Sequence, residues 1–300
     1  MIFGISGNLD KSELPRVVER LLIRFQAEKT RYVIHDSLAR FVKPHLHSVK
    51  IDAKTLVSES ELRKSCTMLI SLGGDGTILR MARLLAGTKV PILGINLGKL
   101  GFLAEVSVEE LDGCLDDILR RQYTIETRMM IQSSGNGMKG SFLALNDIVV
   151  SKYGASRVMS IETYVNKEYL ATFTGDGIII STPTGSTAYA LANGGPIVTP
   201  KNRSITISPI CPHTLTARPV IVPEDSVIVL KVLSTVARIQ LTADGQQEKQ
   251  LASPATITVR KAPFEARLVK RHGLSYYEVL RTKLHWGKDV RIVRGQDYEP

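Results

Sequence analysis

The stretch MLISLGGDGTILRMARLL, residues 68–85, joins a short apolar run to a helical pattern through a glycine-rich turn. The run that ends at Leu72 is apolar apart from one serine, which is typical of a buried strand. After the turn, apolar residues recur at helical spacing, at Ile78, Leu79, Ala82, Leu84 and Leu85. A strand that passes through a tight turn into a helix is a unit of α/β sheets, so this stretch predicts an α/β fold.

The same alternation extends through the first 125 residues. Apolar runs and helical spacings follow one another at residues 2–6, 14–25, 32–34, 91–95 and 111–119. Such alternation indicates a parallel sheet covered by helices. We therefore expect an α/β nucleotide-binding domain over residues 1–125.

From about residue 126 the pattern changes to short β-rich segments separated by turn residues. Strands are predicted at residues 142–150, 160–165, 177–181, 205–208, 227–232, 238–242 and 256–259. These segments predict an antiparallel, β-sandwich-like domain over residues 126–274, with one helix at 186–192. A last helical stripe at 276–284 predicts a closing helix within residues 275–300.

Composition and charge limit the function classes. The 300 residues are 43% hydrophobic and 23% charged, which is ordinary for a globular chain. The longest uncharged run, 177–200, contains three prolines and cannot span a membrane. The net charge is +10, but Lys and Arg are dispersed and aromatics total only 6%. This balance favours phosphate-bearing small molecules over nucleic acid as partners.

Cysteines, histidines and the N-terminus give three further expectations. The three cysteines are far apart, which excludes a disulfide scaffold and fits a reducing cytoplasm. The N-terminus shows no signal-peptide pattern, and the six histidines form no metal-binding pattern.

A literal GxGxxG at residues 135–140 lies between two β-like segments, so we interpret it as a hairpin connection.

Three segments carry residue types suited to ligand binding. In GGDGT, residues 73–77, the glycines allow close approach of a phosphate to the N-terminus of the following helix. An N-capping role for Asp75 explains the same residues equally well. In residues 175–189, GDGIIISTPTGSTAY, many hydroxyls need partners, which favours a ligand surface where Tyr189 could stack on a purine. Asn146-Asp147 interrupts a predicted strand, consistent with ribose binding or with a bulge.

These segments and two others occur in a characteristic order. They are GGDGT (73–77), Asn146-Asp147, TPTGSTAY (182–189), GGP (194–196) and PHTLTARP (212–219). Together they resemble the ATP-dependent NAD kinase family, and the resemblance extends from about residue 67 to KLHWG at 283–287. It implies an α/β domain, then a β-rich NAD-binding domain, with the C-terminal segment returning to the first. It also implies that ATP phosphorylates the 2′-hydroxyl of the adenosine ribose of NAD, giving NADP and ADP.

The resemblance also implies roles for individual residues. Asp75 is expected to be the general base, and the turn residues Gly73, Gly74, Gly76 and Thr77 are expected to hold phosphates. The NAD site is expected to comprise Asp75, Gly76, Asn146, Asp147, Arg157, Asp176, Thr187, Ala188, Tyr189, Ala190, Leu191, Ala192 and Gln246. Within it, Asn146 and Asp147 bind ribose hydroxyls and Asp176 meets the nicotinamide amide. The family further implies a divalent cation such as Mg²⁺, and a homodimer or homotetramer with a site shared between subunits.

Three positions depart from the family pattern, and one of them, His285 in place of a glycine often seen in the closing segment, carries no argued consequence. Many relatives carry Glu where this chain has Asp147, and some carry Arg where it has Thr174. A smaller neutral residue at 174 suggests the hypothesis that NADH is accepted as well as NAD.

Three other functions compete with NAD phosphorylation. They are a GGDGT kinase acting on a lipid or sugar, a dinucleotide-binding regulator without catalysis, and a nucleic-acid-binding module. The adenine-framing turn argues against the first, the carboxylate of Asp75 against the second, and the dispersed charge against the third.

Overall fold

A computed structural model of the chain describes residues 1–98, 101–104, 106–154, 158–233, 238–271 and 275–287. No helix within these residues is long and apolar enough to cross a membrane. Strands and helices alternate at first: β1 (Ile2–Gly7), α1 (Leu14–Ala27), β2 (Arg31–His35), α2 (Asp36–Val42), β3 (Leu56–Val57), α3 (Glu59–Ser65), β4 (Met68–Gly73), α4 (Asp75–Leu84), β5 (Ile92–Asn96) and α5 (Leu111–Leu119).

Strands dominate the rest of the chain. They are β6 (Thr124–Gly135), β7 (Phe142–Ala144), β8 (Asp147–Lys152), β9 (Met159–Val165), β10 (Glu168–Gly175), β11 (Gly177–Ser181), β12 (Ser204–Ile210), β13 (Val220–Pro223), β14 (Ile228–Val232), β15 (Arg238–Ala243), β16 (Gln247–Ala252) and β17 (Ala255–Lys270). Two helices accompany them, α6 (Tyr189–Ala192) and α7 (Tyr276–Leu284).

Two sheets organise these strands. The first follows the order β10-β9-β14-β17-β5-β4-β1-β2-β3, with β6 on β17 and β7 on β6. Its β1 to β5 portion is parallel, as the alternating pattern predicts. The second sheet, β13-β12-β11-β8-β15-β16, is antiparallel throughout. The predicted fold class, an α/β part followed by a β-rich part, is confirmed.

The cores explain this division into layers. In α1, the residues at helical spacing are the buried ones, and they pack on the parallel strands with α5. A second core lies between the two sheets, where Ile131 and Ile257 from the first pack with Ile148 and Ile178 from the second. The β-rich part is therefore a sandwich, one layer of which continues into the parallel sheet.

The long strand β17 makes that continuation. Its first residues pair antiparallel with β14, and near its end Leu268 pairs in parallel with Ile92 of β5. The sequence pattern predicted only residues 256–259 of this strand. The pattern likewise does not predict several edge strands, among them β10, β13 and β16. In β10 and β16 polar residues interrupt the apolar ones and few side chains are buried, and β13 is only four residues long.

Two other elements differ from their predictions. The strand predicted at 142–150 is divided at Leu145 and Asn146, since β7 belongs to the first sheet and β8 to the second. The helix predicted at 186–192 is also divided. A 3₁₀ turn over Thr184–Thr187 is followed by the single turn of α6, because the backbone at Ala188 is not helical. The GxGxxG segment joins the antiparallel strands β6 and β7, so its interpretation as a hairpin is confirmed.

Candidate active site

A cavity of about 910 Å³ opens at the carboxyl ends of β1 and β4, where α/β sheets usually bind ligands. Its wall combines the turn after β4 with the loop after β1 and with basic side chains of α4. The lining residues are Gly7, Asn8, Leu9, Asp10, Lys11, His35, Ser37, Gly74, Gly76, Thr77, Arg80, Arg83 and Gln246. We call this the first cavity.

A second cavity of about 400 Å³ lies on the antiparallel sheet. It is lined by Asn146, Asp147, Val149, Ser151, Ala188, Tyr189, Thr242, Asp244 and Gly245. The turn of residues 244–246 borders both cavities, since Gln246 lines the first while Asp244 and Gly245 line the second. The structure therefore gathers two groups of the predicted site residues on either side of one turn.

The carboxylate of Asp75 turns away from its neighbours Gly74 and Gly76 towards the loop of residues 101–104. Its Oδ2 accepts a hydrogen bond from the backbone N–H of Phe102 at 2.8 Å, and its Oδ1 accepts from those of Leu103 and Ala104 at 3.0 Å each. A Cβ atom on Gly101 would overlap this carboxylate. In this conformation Asp75 fixes the loop as well as beginning α4.

Asp147 is buried beside a second carboxyl group, that of Asp244. Burial, with the charge of Asp244 as a smaller cause, raises the pKa of Asp147 to about 7. Burial also raises the pKa of Asp244, whereas backbone N–H donors and Arg83 lower it. Because Asp244 has an arginine and several N–H partners, we assign the negative charge of the pair to Asp244 and the proton to Asp147.

Asp244 accepts hydrogen bonds from the backbone N–H groups of Leu145 at 3.1 Å, Asn146 at 2.7 Å and Asp147 at 3.3 Å. Its Oδ2 also lies 2.8 Å from Nη1 of Arg83, which belongs to α4. Sequence reasoning identified Asp244 only as a turn residue and did not single out Arg83. The signal that could have identified Asp244 is an acidic residue in an Asp-Gly turn. The signal for Arg83 is its position two helical turns after Asp75, which places both residues on one face of the helix.

The hydroxyls of the TPTGSTAY segment bond mainly within the protein. Thr182 Oγ1 donates to the carbonyl of Leu145 at 2.5 Å, and Ser186 Oγ donates to the carbonyl of Pro183 at 2.7 Å. Thr187 Oγ1 donates to the carbonyl of Thr184. These hydroxyls find their partners within the protein, so they do not by themselves support the ligand surface that the sequence predicts for this segment. From this segment Ala188 and Tyr189 line the second cavity, where Tyr189 is 47% exposed.

The remaining predicted residues are placed differently. Asp176 lies between β10 and β11, with its Oδ1 2.7 Å from Nζ of Lys152. Ala190 is buried in a small core, and Leu191 and Ala192 complete α6 without lining either cavity. Gly73 sits directly beneath the side chain of Thr77, with a positive φ of 156°. Arg157 lies outside the described residues.

The residues that line the first cavity fit a divalent cation that binds together with nucleotide phosphates. In the described part of the chain, His, Cys, Asp and Glu side chains form no group of three that could hold a metal ion. Mg²⁺ is commonly bound through one or two carboxylates and substrate phosphates, and the exposed Asp10 lines the first cavity.

Comparison with known sequences identifies the family. Residues 5–123 match the family model of the ATP-NAD kinase N-terminal domain, and residues 145–271 match that of the C-terminal domain. An NAD kinase of Geobacter metallireducens is 44% identical over 235 residues, which cover 77% of this chain and 83% of that protein. The chain belongs to the ATP-NAD kinase family. A family member from Flavobacterium johnsoniae, also an NAD kinase, is 36% identical over 97% of this chain and 100% of its own length.

Two solved structures share this fold. Yeast NADH kinase complexed with NADH aligns with a TM-score of 0.84, 23% identity and coverage of 100% of this chain and 89% of that chain. An NAD kinase from Archaeoglobus fulgidus in complex with ATP aligns with a TM-score of 0.74, 24% identity and coverage of 95% and 99%.

We expect Asp147→Asn to change how the stability of this family member depends on pH. In the unfolded chain the carboxyl ionises near pH 3.8, but in the folded protein near pH 7. The native protein therefore loses stability as the pH rises between these values, and the variant does not. In urea titrations, the stability advantage of the variant should grow by about 2–4 kcal/mol between about pH 4 and pH 8.

The exposed Asp225, in the turn after β13, provides the control. The Asp225→Asn curve should run parallel to the parent curve. A difference between Asp147→Asn and the parent that is the same at every pH would contradict the buried proton.

We expect Gly101→Ala to displace the loop from Asp75, since the added methyl overlaps the carboxylate. Hydrogen bonds to charged groups contribute about 1.5–3 kcal/mol each, so the unfolding free energy should fall by about 2 kcal/mol or more. Gly74→Ala is the control, because a Cβ there meets no atom within 4 Å. Equal denaturant midpoints for the two variants would show that the loop contact contributes little.

Proposed function

We propose that this chain transfers the terminal phosphoryl group of ATP to the 2′-hydroxyl of the adenosine ribose of NAD, giving NADP and ADP. The observation that carries the proposal is the arrangement of two cavities on either side of residues 244–246. One is walled by a glycine turn at a helix N-terminus, and the other by Asn146, Asp147 and Tyr189. Membership of the ATP-NAD kinase family supports the same reaction.

The first cavity is suited to the triphosphate. Gly74 and Gly76 bring the backbone to its wall without side chains, and α4 directs its free N–H groups towards it. Lys11 and Arg80 add positive charge along the wall, whereas the charge of Arg83 is paired with that of Asp244. Arg80 is itself held by Glu59, which fixes its position beside the phosphates.

The second cavity is suited to the adenosine ribose. The aromatic face of Tyr189 offers a stacking surface for adenine. Asn146 supplies an amide that both donates and accepts, and a protonated Asp147 can donate to one ribose hydroxyl oxygen while accepting from another. Ala188 leaves room between them for the sugar.

Asp75 is the proposed base. A carboxylate offers about four acceptor directions, and three are used by the loop N–H groups, so Oδ2 retains one for the ribose hydroxyl. The ribose oxygen attacks the terminal phosphorus, the bond from that phosphorus to the bridging oxygen of ADP breaks, and the hydroxyl proton passes to Oδ2 of Asp75. Most of the remaining work is positioning and neutralising charge.

Mg²⁺ bound with the phosphates would neutralise charge on the transferred group, and Asp10 is the carboxylate placed to help hold it. Acceptance of NADH, a homo-oligomer with a shared site, and a cytoplasmic location remain predictions from the sequence.

We expect Asp75→Asn to lower kcat for NADP formation by about 10²–10⁴-fold, because the amide cannot accept the hydroxyl proton. The assay uses NAD, ATP and Mg²⁺, with Asp225→Asn as the matched control. A wild-type chain that forms no NADP would contradict the proposed reaction. An active wild type with an Asp75→Asn variant within tenfold of it would instead leave Asp75 as an anchor for the loop.

We expect chelation of divalent cations to abolish NADP formation without changing the thermal unfolding midpoint of the nucleotide-free protein. The reason is that the described residues form no resident metal cage, so the cation contributes to the reaction and not to the fold. A large drop in the midpoint on adding EDTA, reversed by Mg²⁺, would show that a structural metal site exists.

A further inference from the structure

Arg83 connects the helix of the glycine turn to the antiparallel sheet. Its Nη1 lies 2.8 Å from Oδ2 of Asp244, and its Nη2 donates to Oε1 of Gln246. The Arg83 side chain is 11% exposed and that of Asp244 is fully buried. One guanidinium thus binds two acceptors of the turn that borders both cavities.

Gln246 links Arg83 to the glycine turn through hydrogen bonds. Its Nε2 donates to the carbonyl of Gly76 at 2.7 Å, while its Oε1 accepts from Arg83. Gly76 and Arg83 belong to the same helix, α4, so Gln246 bridges two of its points. The position of α4 relative to residues 244–246 is fixed by three contacts.

Asp244 extends the connection to the backbone that carries Asn146 and Asp147. It accepts hydrogen bonds from three consecutive N–H groups there, and its own N–H donates to the carbonyl of Asp147 at 2.9 Å. Displacement of Asp244 would therefore move both of these residues.

We propose that Arg83 is a positioning residue which, through Asp244 and Gln246, holds the phosphate-binding turn and the ribose-binding pair at the separation that phosphoryl transfer requires. This inference rests on the proposed function. It assigns Arg83 a part in the reaction through the residues it orients. Misplacing reacting groups by about 1 Å can reduce a rate by about 10²-fold, so positioning should act on kcat.

Two other roles for Arg83 lead to different results. A direct contact with an ATP phosphate, from its place in the wall of the first cavity, would act on KM for ATP. A purely structural ion pair would change stability and leave kcat unchanged in the folded enzyme. Replacing Arg83 with Lys keeps the positive charge but removes the planar guanidinium. A lysine ammonium cannot bind Asp244 and Gln246 through two nitrogens in one plane.

The experiment compares Arg83→Lys, Arg83→Met and the double variant Arg83→Met/Asp244→Asn by steady-state kinetics with NAD and ATP. The double variant removes both buried charges, and Asn tolerates the positive φ of 53° at residue 244, so it should fold even if Arg83→Met does not. Arg20→Met is the control, since it breaks a 2.6 Å ion pair with Asp112 between α1 and α5.

We expect kcat to fall about 10–100-fold in all three variants, with KM for NAD and for ATP within about threefold of the parent. The double variant should be about as slow as Arg83→Met, because the same connection is lost in both. The Arg20→Met control should keep the parental kcat.

Three results would overturn the proposal. They are a kcat within twofold of the parent in folded variants, a tenfold rise in KM for ATP with kcat retained, and an Arg83→Lys variant as fast as the parent. A parent enzyme that makes no NADP would count against the proposed function and is distinguishable from all three.

Discussion

One buried carboxylate, that of Asp244, holds the chain at the point where it leaves one sheet and enters the other. Between β7 and β8 the backbone of residues 145–147 has no neighbouring strand to receive all of its N–H groups. Asp244 receives three of them, at 2.7 to 3.3 Å. Buried N–H groups without acceptors are costly, so this carboxylate makes the crossing between sheets energetically acceptable. Asn146 and Asp147 face the second cavity because the crossing occurs there.

The charge balance around this point is as important as its hydrogen bonds. Arg83 is the cation that compensates Asp244, and Asp147 can lie beside them because burial and the charge of Asp244 raise its pKa to about 7. Two ionised carboxylates with one arginine would leave a buried negative charge uncompensated. A ribose hydroxyl that enters the second cavity therefore meets a carboxyl group whose raised pKa favours the neutral form, whereas a phosphate that enters the first meets Arg80 and Lys11. The two cavities differ in charge as their expected ligands do.

Local sequence patterns predicted those helices and strands whose own apolar residues form the buried face. The strand, turn and helix of residues 68–85, and the buried stripe of α1, are examples. The resemblance to a known family indicated which residues gather near the two cavities, and Asn146, Asp147 and Tyr189 share one of them. The predictions that were wrong concern residues whose structure depends on partners far away in the sequence. The division of residues 142–150 depends on Asp244, about a hundred residues later, and the hydroxyl of Thr182 bonds to the carbonyl of Leu145, which lies 37 residues earlier in the chain.

The long strand β17 has a consequence for how the protein can fold. It pairs with β5, the strand next to the one that ends at the glycine turn, although more than 150 residues separate them. Until that late segment is available, β5 remains the open edge of the parallel sheet, with its apolar residues lacking part of their cover. Residues from the last third of the chain thus complete the first layer. During synthesis the parallel part of this sheet is therefore completed only after β17 has been made.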